Sequence, residues 1–265
     1  MFNSHASSAA RSKHEGAELR SRVSEIREIQ RPALAKVEPL IEEPPSLREL
    51  ARAVDRTTSE HLSLALLWRE LSSGGCKITD CFFTAERCFL LTNANLGQVT
   101  RPRPMQRRIL EAVLVSGAQK VVAMELGLAA STVASNAQQA LKMLGADCKP
   151  SRPHPLLVLA ARAACSGDSS ATGALSFVAW GGTTLRIVSI SRPDRHLSEY
   201  VSGAELSVLK RLVEGECYET IARQRGTSQR TVANQIASVF RRLHVSGRAE
   251  LLLRLFTLEA AAHCP

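Results

Sequence analysis

Arg230 stands at one end of the segment from Gln229 to Leu243, and Arg241 and Arg242 stand at the other. Between them Val232, Ile236, Val239 and Leu243 recur at three- and four-residue spacing, which marks one buried face of a helix. A guanidinium at a helix start is well placed to reach a phosphate. Arg230 is therefore assigned to phosphate anchoring. Thr231 is expected to support the helix start and a phosphate rather than to read a base. Of Arg241 and Arg242, one is expected to meet a nucleic-acid backbone and the other to cover apolar surface.

The flanking residues supply the elements that would hold this helix. Ser202 and Glu205 have capping-box spacing ahead of an apolar run that includes Leu206, Leu209 and Val213. Gly215 closes that helix, Gly226 ends a second and very short one, and Ser228 is placed to cap the third. Ser246 is placed to cap a fourth. A short helix, a tight glycine turn and a longer helix opened by a hydroxyl form a helix-turn-helix, whose longer helix fits the major groove of DNA.

Leu209, Gly215, Ile221-Ala222, Gly226, Ser228, Thr231-Val232, Leu243, Val245-Ser246, Arg248 and Glu250-Leu251 form an ordered string. On these residues the stretch resembles the LuxR-type (GerE-like) four-helix DNA-binding domain of bacterial transcription regulators. The resemblance implies that the positions after the Thr-Val pair face the groove: Ala233, Asn234 and Ala237. Of these, Asn234 alone carries an amide able to pair bidentately with adenine, and the alanines offer apolar contact to a thymine methyl. Two positions depart from the family pattern. Ala233 stands where a lysine is frequent, and His244 where a glycine is common. The family's last helix commonly makes a dimer contact, and its domain is usually joined to a separate sensor. Nothing within residues 1–100 reads as a receiver, so the input is expected to be missing or to lie in the short segments upstream.

The stretch has an echo. Sliding the chain by 99 residues aligns Leu110 with Leu209, Ala123 with Ala222, Gly127 with Gly226, Thr132-Val133 with Thr231-Val232 and Leu144 with Leu243. Ser135 and Gln138 then occupy the reader positions of this first copy. It lacks a groove-helix cation before Lys142, and Ala129 replaces the capping serine, with Ser131 as a shifted alternative. Its fourth helix is displaced by about four extra residues and interrupted by Pro150, Pro153 and Pro155. A hairpin precedes each copy. One has runs at Ile78–Phe83 and Phe89–Leu91 around a turn at Thr84–Arg87, and the other has two runs around Gly181-Gly182.

The expected fold is thus mainly α, with two tandem units, each a short β-hairpin followed by a four-helix helix-turn-helix domain, behind helical N-terminal segments. Residues 1–45 are expected to be a disordered or charged helical arm and a Pro-rich linker. Residues 46–165 hold a helical hairpin, capped at Ser46 and at Thr58 or Ser59, then the β-hairpin and the first domain at about 101–165. Residues 166–173 read as a flexible linker. Residues 174–265 hold the second hairpin and domain, the latter at about 201–262.

The chain has 265 residues, a net charge of +9 and only 4% aromatic residues. The charge suits a polyanionic partner, and the scarcity of aromatics argues against base-stacking single-strand binders. No apolar run reaches the ~20 residues of a membrane span, and the N-terminal residues lack the apolar core of a secretory signal. The seven cysteines are expected to be reduced thiols. Cys76, Cys81 and Cys88 read as small buried hydrophobes rather than a metal or redox site. No phosphate loop, nucleophile elbow or zinc-protease motif is present, and no cofactor or catalytic residue is expected.

The functional expectation is a cytoplasmic bacterial regulator that binds double-stranded DNA and recruits or blocks RNA polymerase. The alternative is a protein-interaction module built from diverged helix-turn-helix domains. Leu252 and Phe256 form a surplus apolar stripe beside Leu251, Leu255 and Leu258. With Leu255 they are expected either to make a two-chain dimer or to pair the two copies within one chain.

Overall fold

The computed structural model describes residues 46–57, 60–94, 101–195 and 197–262. The expected arm and linker at 1–45 and the cap at Thr58 or Ser59 lie outside the described residues. The helices are α1 (Leu47–Asp55), α2 (Leu64–Ser73), α3 (Pro104–Ser116), α4 (Gln119–Leu126), α5 (Ala130–Leu144), α6 (Pro155–Ser166), α7 (Gly203–Val213), α8 (Tyr218–Arg225), α9 (Gln229–Arg242) and α10 (Arg248–Ala262). The strands are β1 (His61–Ser63), β2 (Cys76–Phe83), β3 (Arg87–Ala94), β4 (Thr172–Trp180) and β5 (Thr183–Ser191).

Both expected hairpins form, but they are not separate. β3 pairs antiparallel with β5, from Arg87 opposite Ser191 to Asn93 opposite Leu185. One sheet of order β1-β4-β5-β3-β2 results. The reason lies in the runs Phe89-Leu90-Leu91 and Ile187-Val188, which are apolar on both sides of the strand rather than alternating. Strands of that kind need cover on both faces. Ala51 of α1 packs with Phe82, Phe89, Leu91 and Ile187 on one face. Cys88, Leu90 and Val188 join the main core on the other, with α2 and α6.

The helical hairpin expected at 46–74 is corrected. Ser46 does cap α1, with the capping box to Glu49 closed in both directions. The next segment begins as a strand, however, with Leu62 opposite Gly173, and α2 starts only after Ser63. Helices α1 and α2 therefore lie on opposite faces of the sheet. The linker expected at 166–173 is also shorter than read, because Thr172 and Gly173 already belong to β4. A side chain at Gly173 would stand 2.9 Å from Val188 Cγ1.

The order of two strands and four helices occurs twice, and the 99-residue shift extends to burial. Ile109, Leu110, Val113 and Leu114 are buried, as are Val208, Leu209, Leu212 and Val213. Val133, Ala137, Ala140 and Leu144 match the buried Val232, Ile236, Val239 and Leu243. Gln106 even takes the place of Glu205, accepting from the Arg103 backbone N–H at 3.0 Å. One core cluster runs from Leu64 to Leu255.

α10 decides where the surplus stripe goes. It packs against α3, α6 and α7. Leu252 and Leu255, expected at a dimer contact, are 0% and 2% exposed within the chain. Phe256 is half-buried against the same core, and the Leu258 side chain lies outside the described residues. The approach is close at one point. A Cβ on Gly117, whose φ is +69°, would lie 2.5 Å from the Ala249 Cβ.

α9 ends at Arg242, and His244 follows with φ 53°, the one non-glycine in the left-handed region among the described residues. The Val245 N–H returns to the Phe240 carbonyl at 2.9 Å, closing the helix end. A Cβ in this conformation costs on the order of 1 kcal/mol. His244→Gly is therefore expected to raise the unfolding free energy by about 0.5–1 kcal/mol, read as a higher urea midpoint with an unchanged slope. A lower midpoint would mean that the imidazole makes a compensating contact.

Candidate nucleic-acid interface

α9 is held by its neighbours at both ends. Ser228 caps it, its hydroxyl accepting from the Thr231 N–H at 3.1 Å. At the far end Arg242 donates to both Glu205 oxygens, at 3.1 and 3.2 Å, and to the Tyr200 carbonyl at 3.0 Å. Glu205 is also the capping-box residue of α7. The Ser202 N–H first, and then Arg242, hold its carboxyl down at about 2. Ile221 and Ala222 of α8 and Val232, Ile236 and Val239 of α9 are buried together. The opposite face of α9 is open.

That face is a single stripe. Arg230, Asn234, Ala237 and Arg241 follow one another at i, i+4, i+7 and i+11, and all four are exposed. Thr231 is exposed beside them and Ala233 is half-buried. Neither Arg230 nor Arg241 has an ion pair among the described residues. Two guanidinium groups with an amide between them, on a helix whose other side is locked, can pair with phosphates at both ends and a base edge at the centre. Of the two terminal arginines, Arg242 is the one tied to Glu205 and Tyr200, with 46% of its side chain still exposed, and Arg241 has no such tie among the described residues.

Residues 200–255 match the family of bacterial regulatory proteins, luxR family. This stretch is a LuxR-family helix-turn-helix domain. The match supports a DNA-binding transcription regulator in general terms; it covers one stretch and shows no second copy. No curated protein and no solved structure matches the chain. Among the described residues no helix is long and apolar enough to cross a membrane. Among the same residues no three His, Cys, Asp or Glu could hold a metal ion. Burial pushes the Cys76 thiol up to about 11 and the Cys81 thiol up to about 12.

The LuxR-family domain is fastened to the rest of the chain by two arginines that the sequence reading gave no role of their own. Arg248 is 8% exposed and has no acidic partner among the described residues. Its Nε and Nη2 donate to the Leu212 and Val213 carbonyls, each at 2.6 Å, and its Nη1 donates to the Pro153 carbonyl at 2.8 Å. Burial lowers its guanidinium to about 10. It thus closes the C-terminus of α7 and grips the α5–α6 connection at once. Arg192 forks onto Asp194 at 2.9 and 2.8 Å, meets Glu214 at 2.6 Å and donates to the Thr84 carbonyl at 3.0 Å. It joins the first hairpin turn to the end of α7. Arg248 stands in the family string without a stated role, and Arg192 carries no signal in the sequence.

The face of α5 that the 99-residue shift matches to this stripe is arranged differently. Ser135 is exposed, as a reader would be. Gln138 is half-buried, and its amide donates to the Cys148 carbonyl at 3.2 Å. It holds the α5–α6 connection and is not a free reader. Ala129 begins α5 with no side-chain cap, and Ser131 lies within the first turn rather than ahead of it. Ser246 also differs from its expected role. Its hydroxyl and backbone N–H donate to Glu250, at 2.6 and 2.7 Å.

Proposed function

We propose that the protein is a sequence-specific regulator of transcription that binds double-stranded DNA by laying α9 in the major groove. Arg230 and Arg241 anchor phosphates on either side, Asn234 reads an adenine, and Ala237 and Ala233 offer apolar contact to a thymine methyl. The observation that carries this reading is the exposed stripe Arg230, Asn234, Ala237 and Arg241 on a helix fixed from behind. The first copy is a diverged relative of the same domain. It acts as an internal partner for the second, with α10 of the second lying on α3 and α6 of the first. The protein works by binding rather than catalysis, in the cytoplasm of a bacterium, and its output passes through RNA polymerase.

The interaction-module alternative keeps one specific support, and it concerns the first copy. Met105, Val121 and Met124 of α3 and α4 are 52%, 45% and 83% exposed. A DNA-facing surface has less use for them than a protein partner does.

Selection of bound sequences from a random duplex library tests the reading. One position of the preferred site is expected to be adenine-specific, and Asn234→Ala is expected to relax that position alone, by about 1–3 kcal/mol. Preference that survives unchanged at every position removes Asn234 as a reader.

A further inference from the structure

A cleft of about 410 Å³ opens where the first hairpin, the α5–α6 connection and the end of α7 meet, between Phe83, Cys148, Arg152, His154 and Glu214. It continues along Arg152 to Lys142 and Lys149 at a wider rim. At its inner wall the His154 ring is 4% exposed and tilts against Phe83 at 4.7 Å between centroids. Neither ring nitrogen closes a hydrogen bond, although the Phe82 backbone lies near enough to favour the protonated ring. Burial first, and then the charge of Arg248, hold the imidazole neutral, with its proton affinity drawn down to about 3. A neutral imidazole presents one N–H and one lone pair, and leaving both unmatched in a buried wall is costly. Lys142, Lys149 and Arg152 have no ion pair among the described residues, and they outnumber the two carboxylates of the lining, Asp147 and Glu214, the second of which is paired with Arg192. An aromatic wall, an unmatched neutral donor and acceptor at depth and unpaired cations at the rim are complementary to one kind of molecule.

We propose that the cleft binds a small organic anion carrying a hydroxyl or amide at its far end, the neutral group on His154 and the anion at Lys142, Lys149 and Arg152. Its occupant bears on the DNA-binding domain because Arg152 also donates to the Gly215 carbonyl, at 3.4 Å, and Arg248 holds Pro153 beside His154. A ligand that shifts the 147–154 connection therefore moves the end of α7, to which α9 is packed. This coupling rests on the reading of α9 as the DNA-contacting helix; binding in the cleft does not.

Calorimetry on the full chain with 4-hydroxybenzoate, benzoate and inorganic phosphate tests the site. 4-Hydroxybenzoate is expected to bind, benzoate about fivefold more weakly for want of the hydroxyl, and phosphate alone not measurably at the same concentration. Lys149→Ala with Arg152→Ala should weaken 4-hydroxybenzoate about tenfold. His154→Phe should abolish its advantage over benzoate, and His154→Gln, which keeps a donor and an acceptor, should restore part of it and serves if the phenylalanine variant does not fold. No heat with any probe at millimolar concentration overturns the site, as does binding that ignores both sets of substitutions. A gel shift with and without 4-hydroxybenzoate tests the coupling separately. A changed DNA affinity supports it, and an unchanged one overturns it while the calorimetry stands. Absence of DNA binding both with and without 4-hydroxybenzoate counts against the α9 reading alone.

Discussion

Arg248→Ala is expected to lower the unfolding free energy by about 3–5 kcal/mol. The side chain serves three carbonyls, of Leu212, Val213 and Pro153, in a position 8% exposed. Alanine leaves the buried Val213 and Pro153 acceptors without donors, each costing about 1–3 kcal/mol where water cannot reach, and opens a cavity besides, while the Leu212 carbonyl keeps the Gly215 N–H at 3.1 Å. Part of that cost is relieved as the 147–154 connection relaxes, which is why the sum stays below the upper limit. Arg248→Lys should recover only a fraction, because an ammonium cannot reproduce a fork that serves carbonyls on two sides. Urea unfolding of the three proteins measures this, and a loss below about 1 kcal/mol for alanine would mean that the three carbonyls are hydrated.

Gly117→Val is the second large effect, at about 2–4 kcal/mol. Two costs combine. Gly117 has φ +69°, which a β-branched residue adopts badly, and its Cβ would stand 2.5 Å from that of Ala249. The clash falls where α3 meets the start of α10, so the wedge acts on the packing of α3 against the helix-turn-helix domain. Ala249→Gly removes the second cost and leaves the first. The double variant is therefore expected to be more stable than Gly117→Val alone, a favourable coupling of about 1 kcal/mol or more. Strict additivity of the two changes would show that α10 does not press on Gly117 in solution.

The parts of this fold that were legible in the sequence are those fixed by neighbours in the chain. The caps at Ser202 and Ser228, the turns at Thr84 and at Gly181-Gly182 and the burial period of α9 depend on residues a few positions apart. The pairing of β3 with β5 does not. Phe89-Leu90-Leu91 announces a strand with two buried faces, but not which strand lies beside it, and the partner is about a hundred residues away. β1 is three residues long, too short to leave a period. The site divides in the same way. The stripe of Arg230, Asn234, Ala237 and Arg241 follows from helical spacing once the helix is placed. That Arg242 is engaged depends on Glu205, and that Gln138 is occupied depends on Cys148, a residue in the irregular connection. Arg248 was hidden for a different reason: arginine is rarely buried, so its type argued against the role it has.

The central claim is that the open face of α9 holds DNA, and the salt dependence of binding tests it most directly. Each phosphate contact contributes about −0.9 to the slope of log affinity against log salt. The Arg230→Ala, Arg241→Ala double variant is expected to bind all duplexes more weakly, with a slope about two units shallower than the parent. Arg242→Ala, which breaks the tie to Glu205 and Tyr200 instead, should leave the slope nearly as it was. A double variant with the parent's slope, or an equal loss of slope in Arg242→Ala, would contradict the placement of α9 on DNA.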